Sequence, residues 1–299
     1  MKYAGIERQK NRWGWIFVLP ALLFFLLFSF YPMVNAIYNT FFNMKLLSLA
    51  KPDFVGLSNY KYILSSDRFW NSVKLTAIFT LGTFIPLTVL SLLFGLIIAT
   101  RNRGHRILQL IIYSPAILSS VVSALIWMLF FDPRGMANTV VNAILRTPGV
   151  DHRWMTDTVM LQISLIVIYI WRSVGYFSII FVTGIAKIPQ SVYEAATIDG
   201  ASAFQTIRRI ILPLLQPTIV LVSTIAMLNC IKSFSTQYMF FQRGAALDVV
   251  NVLTLNIYNT ALRDLNISRA CVMSILLFLA MMGLTMLRLR SSDKNAVSF

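Results

Sequence analysis

The sequence predicts an all-α, polytopic membrane protein with six transmembrane helices and both termini in the cytoplasm. Three observations predict it. Of 299 residues, 57% are hydrophobic and only 12% are charged, about half the charged share of a soluble domain. The apolar residues fall into six blocks, each long enough to cross the hydrocarbon core as a helix. The formal charge of +15 gathers at the ends of those blocks, where it serves topology and anionic lipid rather than nucleic acid.

Residues 1–13 form a basic N-terminal segment carrying Lys2, Arg8, Lys10 and Arg12 against Glu7 alone. The first apolar run, 14–37, is long for a signal peptide, holds Pro20 and Pro32, and lacks a small-x-small cleavage site, so it reads as an uncleaved span. Trp13 and Trp15 edge it at one interface, Tyr31 and Tyr38 towards the other. An amphiphilic external loop covers 38–71. The second span, 72–100, contains Pro86 as an expected kink, and a short loop follows with Arg101, Arg103 and Arg106. The third span is 107–130, and a polar external loop covers 132–158. The fourth span is 159–186, a polar loop covers 187–216, and the fifth span is 217–241. A further polar loop covers 242–269, the sixth span is 270–287, and 288–299 forms a tail with Arg288, Arg290 and Lys294. Residues 14–287 thus make one transmembrane domain.

Orientation follows from the basic residues. Thirteen Lys/Arg lie on the side of the termini in short segments, and eleven on the other side, counting Lys74 at the edge of the second span, go with longer loops. The bias per short loop puts both termini, and the loop at 187–216, in the cytoplasm.

Several chemistries find no support. Cys230 and Cys271 lie in or beside apolar spans and read as small core residues, not a disulfide. His105 and His152 sit in separate loops without metal-ligand spacing. There is no phosphate-binding glycine loop with its lysine, no His-Glu-x-x-His and no Gly-x-Ser-x-Gly.

The loop at 187–216 carries the most informative stretch. From 194 to 217 it reads Glu-Ala-Ala-Thr-Ile-Asp-Gly-Ala-Ser-Ala-Phe-Gln-Thr-Ile-Arg-Arg-Ile-Ile-Leu-Pro-Leu-Leu-Gln-Pro. Pro189 limits the start of a short helix, Glu194, Ala195 and Ala196 continue it, and Gly200 suits a left-handed cap. Two small side chains beside one carboxylate make a narrow knob for a groove on another protein. On spacing alone, an amphipathic connecting loop reads equally well.

This stretch resembles the cytoplasmic coupling loop of ABC importer permeases, a loop built on Glu-Ala-Ala, two variable residues, Asp-Gly-Ala, then Leu-Pro and a further Pro. Here those positions are Glu194, Ala195, Ala196, Asp199, Gly200, Ala201, Leu212, Pro213 and Pro217. Ile207 stands where the family commonly has Phe, and Gln242-Arg243-Gly244-Ala245-Ala246 where it often has a Gly-Gly-Pro turn. Phe54 to Tyr60, then Arg68-Phe69-Trp70-Asn71, Ser114-Pro115, Trp127, Phe131-Asp132-Pro133 and Asn138, resemble the carbohydrate-uptake branch that includes maltose and glycerol-3-phosphate systems.

The resemblance covers the chain from about Trp15 to about Leu287. It implies one transmembrane subunit of an ATP-driven, binding-protein-dependent sugar importer in a prokaryotic cell membrane. The expected partners are a second homologous permease, two ATP-binding subunits, an extracytoplasmic solute-binding protein, the saccharide and membrane lipid. ATP and Mg would sit on the ATPase subunits, with no cofactor on this chain, no nucleic acid and no enzyme activity of its own. The alternatives are an ABC permease for an amino acid, peptide or ion, and an ion-coupled secondary transporter. The latter leads one to expect inverted repeats and intramembrane carboxylates, and the sequence displays neither.

Two formal charges lie well inside the spans, Arg172 in the fourth and Lys232 in the fifth. Each costs roughly 2.5–3.5 kcal/mol at the bilayer centre on insertion scales. Around them are Tyr169, Trp171, Tyr176, Asn229, Ser233 and Gln237. Aromatic faces beside amide and hydroxyl groups suit sugar rings, although helix–helix hydrogen bonding accounts for the same residue types. Two unpaired cations at one depth also suit an acidic saccharide or sugar phosphate.

Overall fold

The computed structural model describes residues 2–48, 51–100 and 104–293, with side chains described from 13 to 290 of these. The side chains of Lys2, Arg8, Lys10 and Arg12, together with Arg101, Arg103 and Lys294, lie outside the described residues.

The described chain is almost wholly helical. Five helices are long and apolar enough to cross a membrane: Trp13–Asn39, Asp67–Thr100, Thr158–Ala186, Gln216–Gln242 and Ile267–Arg290. A sixth crossing arises only if His105–Ile117 and Ser120–Phe130, which meet at 99°, form one broken span. The third span, expected over 107–130, is thus bent in the middle. Leu118 is extended, and Ser119 is an N-cap whose hydroxyl accepts from the Val122 N–H at 3.2 Å. Pro115, in the last turn before the break, cannot donate to Ile111 O. The Ser114 hydroxyl occupies that carbonyl instead, at 3.0 Å.

The second span begins at Asp67 and the sixth at Ile267, both earlier than the hydropathy pattern places them. The helix Asp67–Thr100 runs through Pro86 without a break. The fifth span is broken instead, into Gln216–Ile231 and Ser235–Gln242, and Lys232 caps the first piece.

Two wide turns have a common origin. Tyr31 N–H bonds Leu26 O, and Leu212 N–H bonds Ile207 O, both five residues back. Each wide turn ends just before a proline, Pro32 or Pro213. A proline ring clashes with the carbonyl four residues back, and widening the preceding turn relieves it.

The chain forms two compact units, 1–66 with 257–276, and 67–256 with 277–299. In the first, Asn59 clamps the end of the first span. Its Nδ2 donates to Thr40 O and to Phe42 O, both at 2.9 Å. Tyr60 OH reaches Thr40 Oγ1 at 3.1 Å. These bonds give the Phe54–Tyr60 motif a structural role. A two-residue ribbon pairs Phe42 with Phe54 antiparallel, and the Met44 N–H donates to Ser268 Oγ at 2.8 Å.

In the second unit, Asp67–Thr100 and Thr158–Ala186 pack along their length around Phe79, Leu87, Phe177 and Phe181, all buried. Ser91 Oγ donates to Val174 O at 3.2 Å across this seam. The helix His105–Ile117 crosses Thr158–Ala186 at Gly175. A Cβ there would lie 2.2 Å from Ile112 O, so only glycine permits the approach.

The expected polar loop at 242–269 instead carries Leu247–Val250 and Leu253–Leu262, with Val249, Val250, Leu253 and Leu255 buried. Polar side chains of neighbouring helices satisfy its backbone. Thr76 Oγ1 accepts from the Leu253 N–H at 2.8 Å, and Gln162 Nε2 donates to Val249 O. That satisfaction is what allows the segment to be buried.

Candidate functional site

The sequence marks two places, the mid-span cations and the Glu194 loop. Both are built in the second unit.

Arg172 lies at the centre of the 29-residue helix Thr158–Ala186. A cavity of about 390 Å³ opens beside it. Six of the eight residues expected along a substrate path line this cavity: Tyr169, Arg172, Tyr176, Asn229, Lys232 and Ser233. Helical geometry accounts for the first three, because residues three and four apart share a face. The other three surround the break that ends Gln216–Ile231.

Two expected residues do not line it. Trp171 turns away and packs edge-on against Trp127, with ring centroids 5.6 Å apart. Gln237 is fully buried behind the wall, where its Oε1 accepts from Ser233 Oγ at 3.0 Å. It supports a lining residue rather than facing the cavity.

Tyr113, Ser120 and Thr236 also line the cavity and were not anticipated. Ser120 matters most, because Arg172 Nη1 donates to its hydroxyl at 2.6 Å. Its position depends on the break at Leu118–Ser119. The signal available in the sequence was Pro115 followed by two serines within five residues. The Arg172 guanidinium also stands 5.5 Å from the centroid of the Tyr169 ring, a cation–π contact. Its Nε is buried and has no partner among the described residues. No Asp or Glu is among the described lining residues.

At the second place, Gln190–Ile198 forms the expected short helix. Its C-terminus is a Schellman turn. The Ala201 N–H bonds Ala196 O at 3.0 Å, the Gly200 N–H bonds Thr197 O at 3.1 Å, and Gly200 has φ +71°. Asp199, Gly200 and Ala201 therefore act locally as the cap of the helix that Glu194, Ala195 and Ala196 belong to. A capping box begins the next turn: the Ser202 N–H donates to Gln205 Oε1 at 2.8 Å, and the Gln205 N–H to Ser202 Oγ at 3.3 Å.

One expectation is corrected here. Glu194 and Ala195 face outward, but Ala196 is only 4% exposed and faces the chain itself, so the two alanines do not form one knob. Tyr193 packs inward too, against a cluster of Leu96, Ile185, Ile211 and Leu215. Partial burial pushes its phenol above the ordinary 10.0. The outward face carries two bare apolar side chains instead, Ile198 at 86% and Phe204 at 69% exposure.

The loop at 132–158, expected to be polar, contains the helix Met136–Leu145. Asn138 ties the loop together. Its Nδ2 donates to Pro133 O and Asp151 Oδ1, both at 3.1 Å, and Trp154 Nε1 donates to its Oδ1 at 2.7 Å. The Arg153 N–H and the Asn138 amide on Asp151 hold its carboxyl below the ordinary carboxylate value.

Residues 91–291 match the family described as binding-protein-dependent transport system inner membrane component. Among characterised proteins, the trehalose/maltose transport system permease protein MalF of Thermococcus litoralis is 28% identical over 288 residues, covering 95% of each chain. The sn-glycerol-3-phosphate transport system permease protein UgpA of Agrobacterium fabrum is 26% identical, covering 94% of each. Among solved structures, a chain of a bacterial ABC transporter involved in the import of the acidic polysaccharide alginate superposes with a TM-score of 0.82. It covers 98% of both chains at 22% identity, a likeness of fold.

Proposed function

This chain belongs to the family of binding-protein-dependent transport system inner membrane components, and from that premise we propose that it forms half of the translocation pathway of an ATP-driven saccharide importer. It pairs with a second, homologous permease. Two ATPase subunits bind on the cytoplasmic side, and a solute-binding protein delivers substrate on the other. ATP and Mg belong to the ATPase subunits.

The observation that carries the saccharide reading is the lining of the mid-span cavity. Tyr113, Tyr169 and Tyr176 offer ring faces, and Asn229, Ser233 and Thr236 offer amide and hydroxyl groups. A sugar ring has apolar faces and a rim of hydroxyls, and this lining complements both. The cargo named for the Thermococcus litoralis relative, trehalose/maltose, agrees with it.

The Glu194 helix is the contact with the ATPase. Tyr193 and Ala196 fix it to the permease body, while Glu194, Ala195, Ile198 and Phe204 face the partner. ATP-driven closure of the ATPase subunits moves this helix, and the helix moves the spans that line the cavity. With residues 187–216 on the ATPase side, both termini are cytoplasmic.

The test is complementation. Cells lacking this chain should lose uptake of a saccharide bound by the partner binding protein, and expression of the chain should restore it. Unchanged saccharide uptake, together with loss of amino acid or peptide uptake, would reassign the cargo.

A further inference from the structure

We infer that the mid-span cavity selects a saccharide bearing a negative charge, with Arg172 and Lys232 as the groups that receive it. The inference rests on the importer reading and narrows its substrate class.

Arg172 and Lys232 come from different helices and line one cavity. Among the described residues, neither has a carboxylate partner. The contacts of Arg172 are neutral, the Ser120 hydroxyl and the Tyr169 ring, and they leave its buried Nε unused. A guanidinium offers five donors in a planar fork that fits a carboxylate or a phosphate. The Ser120 bond uses one of those donors, on Nη1.

The backbone around the cavity does not supply the missing negative charge. Ser120–Phe130 and Ser235–Gln242 both begin at the cavity, through Ser120 and through Ser235 and Thr236. Their N-termini are positive ends. Gln216–Ile231 and His105–Ile117 end there, with Asn229 and Ala116 in the lining, and those are negative ends. Each end is equivalent to about half an elementary charge, so two ends of each sign offset. The two full side-chain charges then set the sign of the cavity. Lys232 itself caps the C-terminal end of Gln216–Ile231 through its backbone N–H. Two cations with no anion among the described lining residues favour an anionic ligand over its neutral isostere, more strongly at the half-buried Arg172 than at the exposed Lys232.

The shared chemistry is an anionic group on a sugar, either a uronate carboxylate or a phosphate ester. The experiment uses the assembled importer, with both permeases, the ATPases and the binding protein, in proteoliposomes. Uptake is measured for an oligouronate, its carboxyl-reduced neutral counterpart and a sugar phosphate. Wild type, Arg172→Gln, Lys232→Gln, the double variant and Arg172→Lys are compared.

The expected result is anion uptake by wild type, with each Gln variant lowering the anion-to-neutral ratio about 10- to 100-fold, as for loss of a charge-assisted hydrogen bond. Arg172→Lys, which keeps the charge but not the fork, should fall between wild type and Arg172→Gln. Preference for the sugar phosphate over the oligouronate supports the inference and identifies the anion as phosphate. Wild-type preference for the neutral compound overturns the charge inference and leaves the importer reading standing, as does equal loss of both compounds in the Gln variants. ATP-driven uptake of a non-saccharide solute alone overturns the importer reading itself.

Discussion

Replacing Gly200 tests whether the turn behind the Glu194 helix is a working part of the coupling contact. Nothing lies within 4 Å of the position a Cβ would take, and φ is +71°, so the cost of a side chain is conformational rather than a clash with neighbours. Alanine in the left-handed region costs about 1–2 kcal/mol. Asparagine costs less, because its side chain bonds locally, and β-branched valine costs more. A chain that escapes the strain by unwinding gives up the Ala201–Ala196 and Gly200–Thr197 bonds, each with a net value of about 0.5–1.5 kcal/mol. Both routes converge on about 1–3 kcal/mol, or roughly 5- to 150-fold in the population of the intact turn. Saccharide-stimulated ATP hydrolysis and uptake by the reconstituted importer should therefore fall in the order glycine, asparagine, alanine, valine. The amount of inserted chain should stay constant. Valine at wild-type activity in both assays, or alanine outperforming asparagine, would refute the assignment of the Schellman turn as the element that presents the helix.

Further outcomes follow from the same geometry. Ala196→Leu should overpack a buried position, cost about 1–3 kcal/mol and lower the melting temperature of the purified chain. Ala195→Trp, on the exposed face, should leave the melting temperature unchanged and weaken co-purification with the ATPase. Gly175→Ala must push the helices apart at Ile112, so it should lower both the melting temperature and saccharide uptake, as variants far from any cavity should not. Asp151 has a carboxyl held below its ordinary 3.8. Its contribution to loop stability is therefore full above 3.8 and is lost as pH falls through the lowered value. Fluorescence of Trp154, which shares Asn138 with Asp151, should be flat from pH 7 to 5 and change only below 3.8. A transition between pH 5 and 7 would contradict the assignment to Asp151.

The spans were legible because each is a long apolar block, and the helix cap at Asp199-Gly200-Ala201 because glycine is the residue that tolerates a positive φ. The breaks were not legible. A hydropathy run is blind to one extended residue, so Leu118 reads as part of a continuous third span. Lys232 reads as a mid-helix cation, although its backbone caps a helix end. The mistake at Ala196 has another cause. Ala195 and Ala196 are chemically identical, and only the packing of Gln190–Ile198 on the chain distinguishes an outward alanine from a buried one. The burial of 247–255 was hidden for a third reason. Its polar groups find partners far away in the chain, Thr76, Gln162 and Ser233 among them, and such long-range pairing leaves no local pattern. The cations themselves were legible, since a charge amid an apolar run stands out on cost alone.

The central claim, that this chain is half of a saccharide path driven by ATP on other subunits, is tested most directly by uptake into proteoliposomes holding both permeases, the ATPases and the binding protein. Labelled saccharide should accumulate only when ATP and the binding protein are both present, without an ion gradient, and not when this chain is omitted. Accumulation driven by a proton or sodium gradient without ATP, or ATP-driven uptake that persists without this chain, would contradict it.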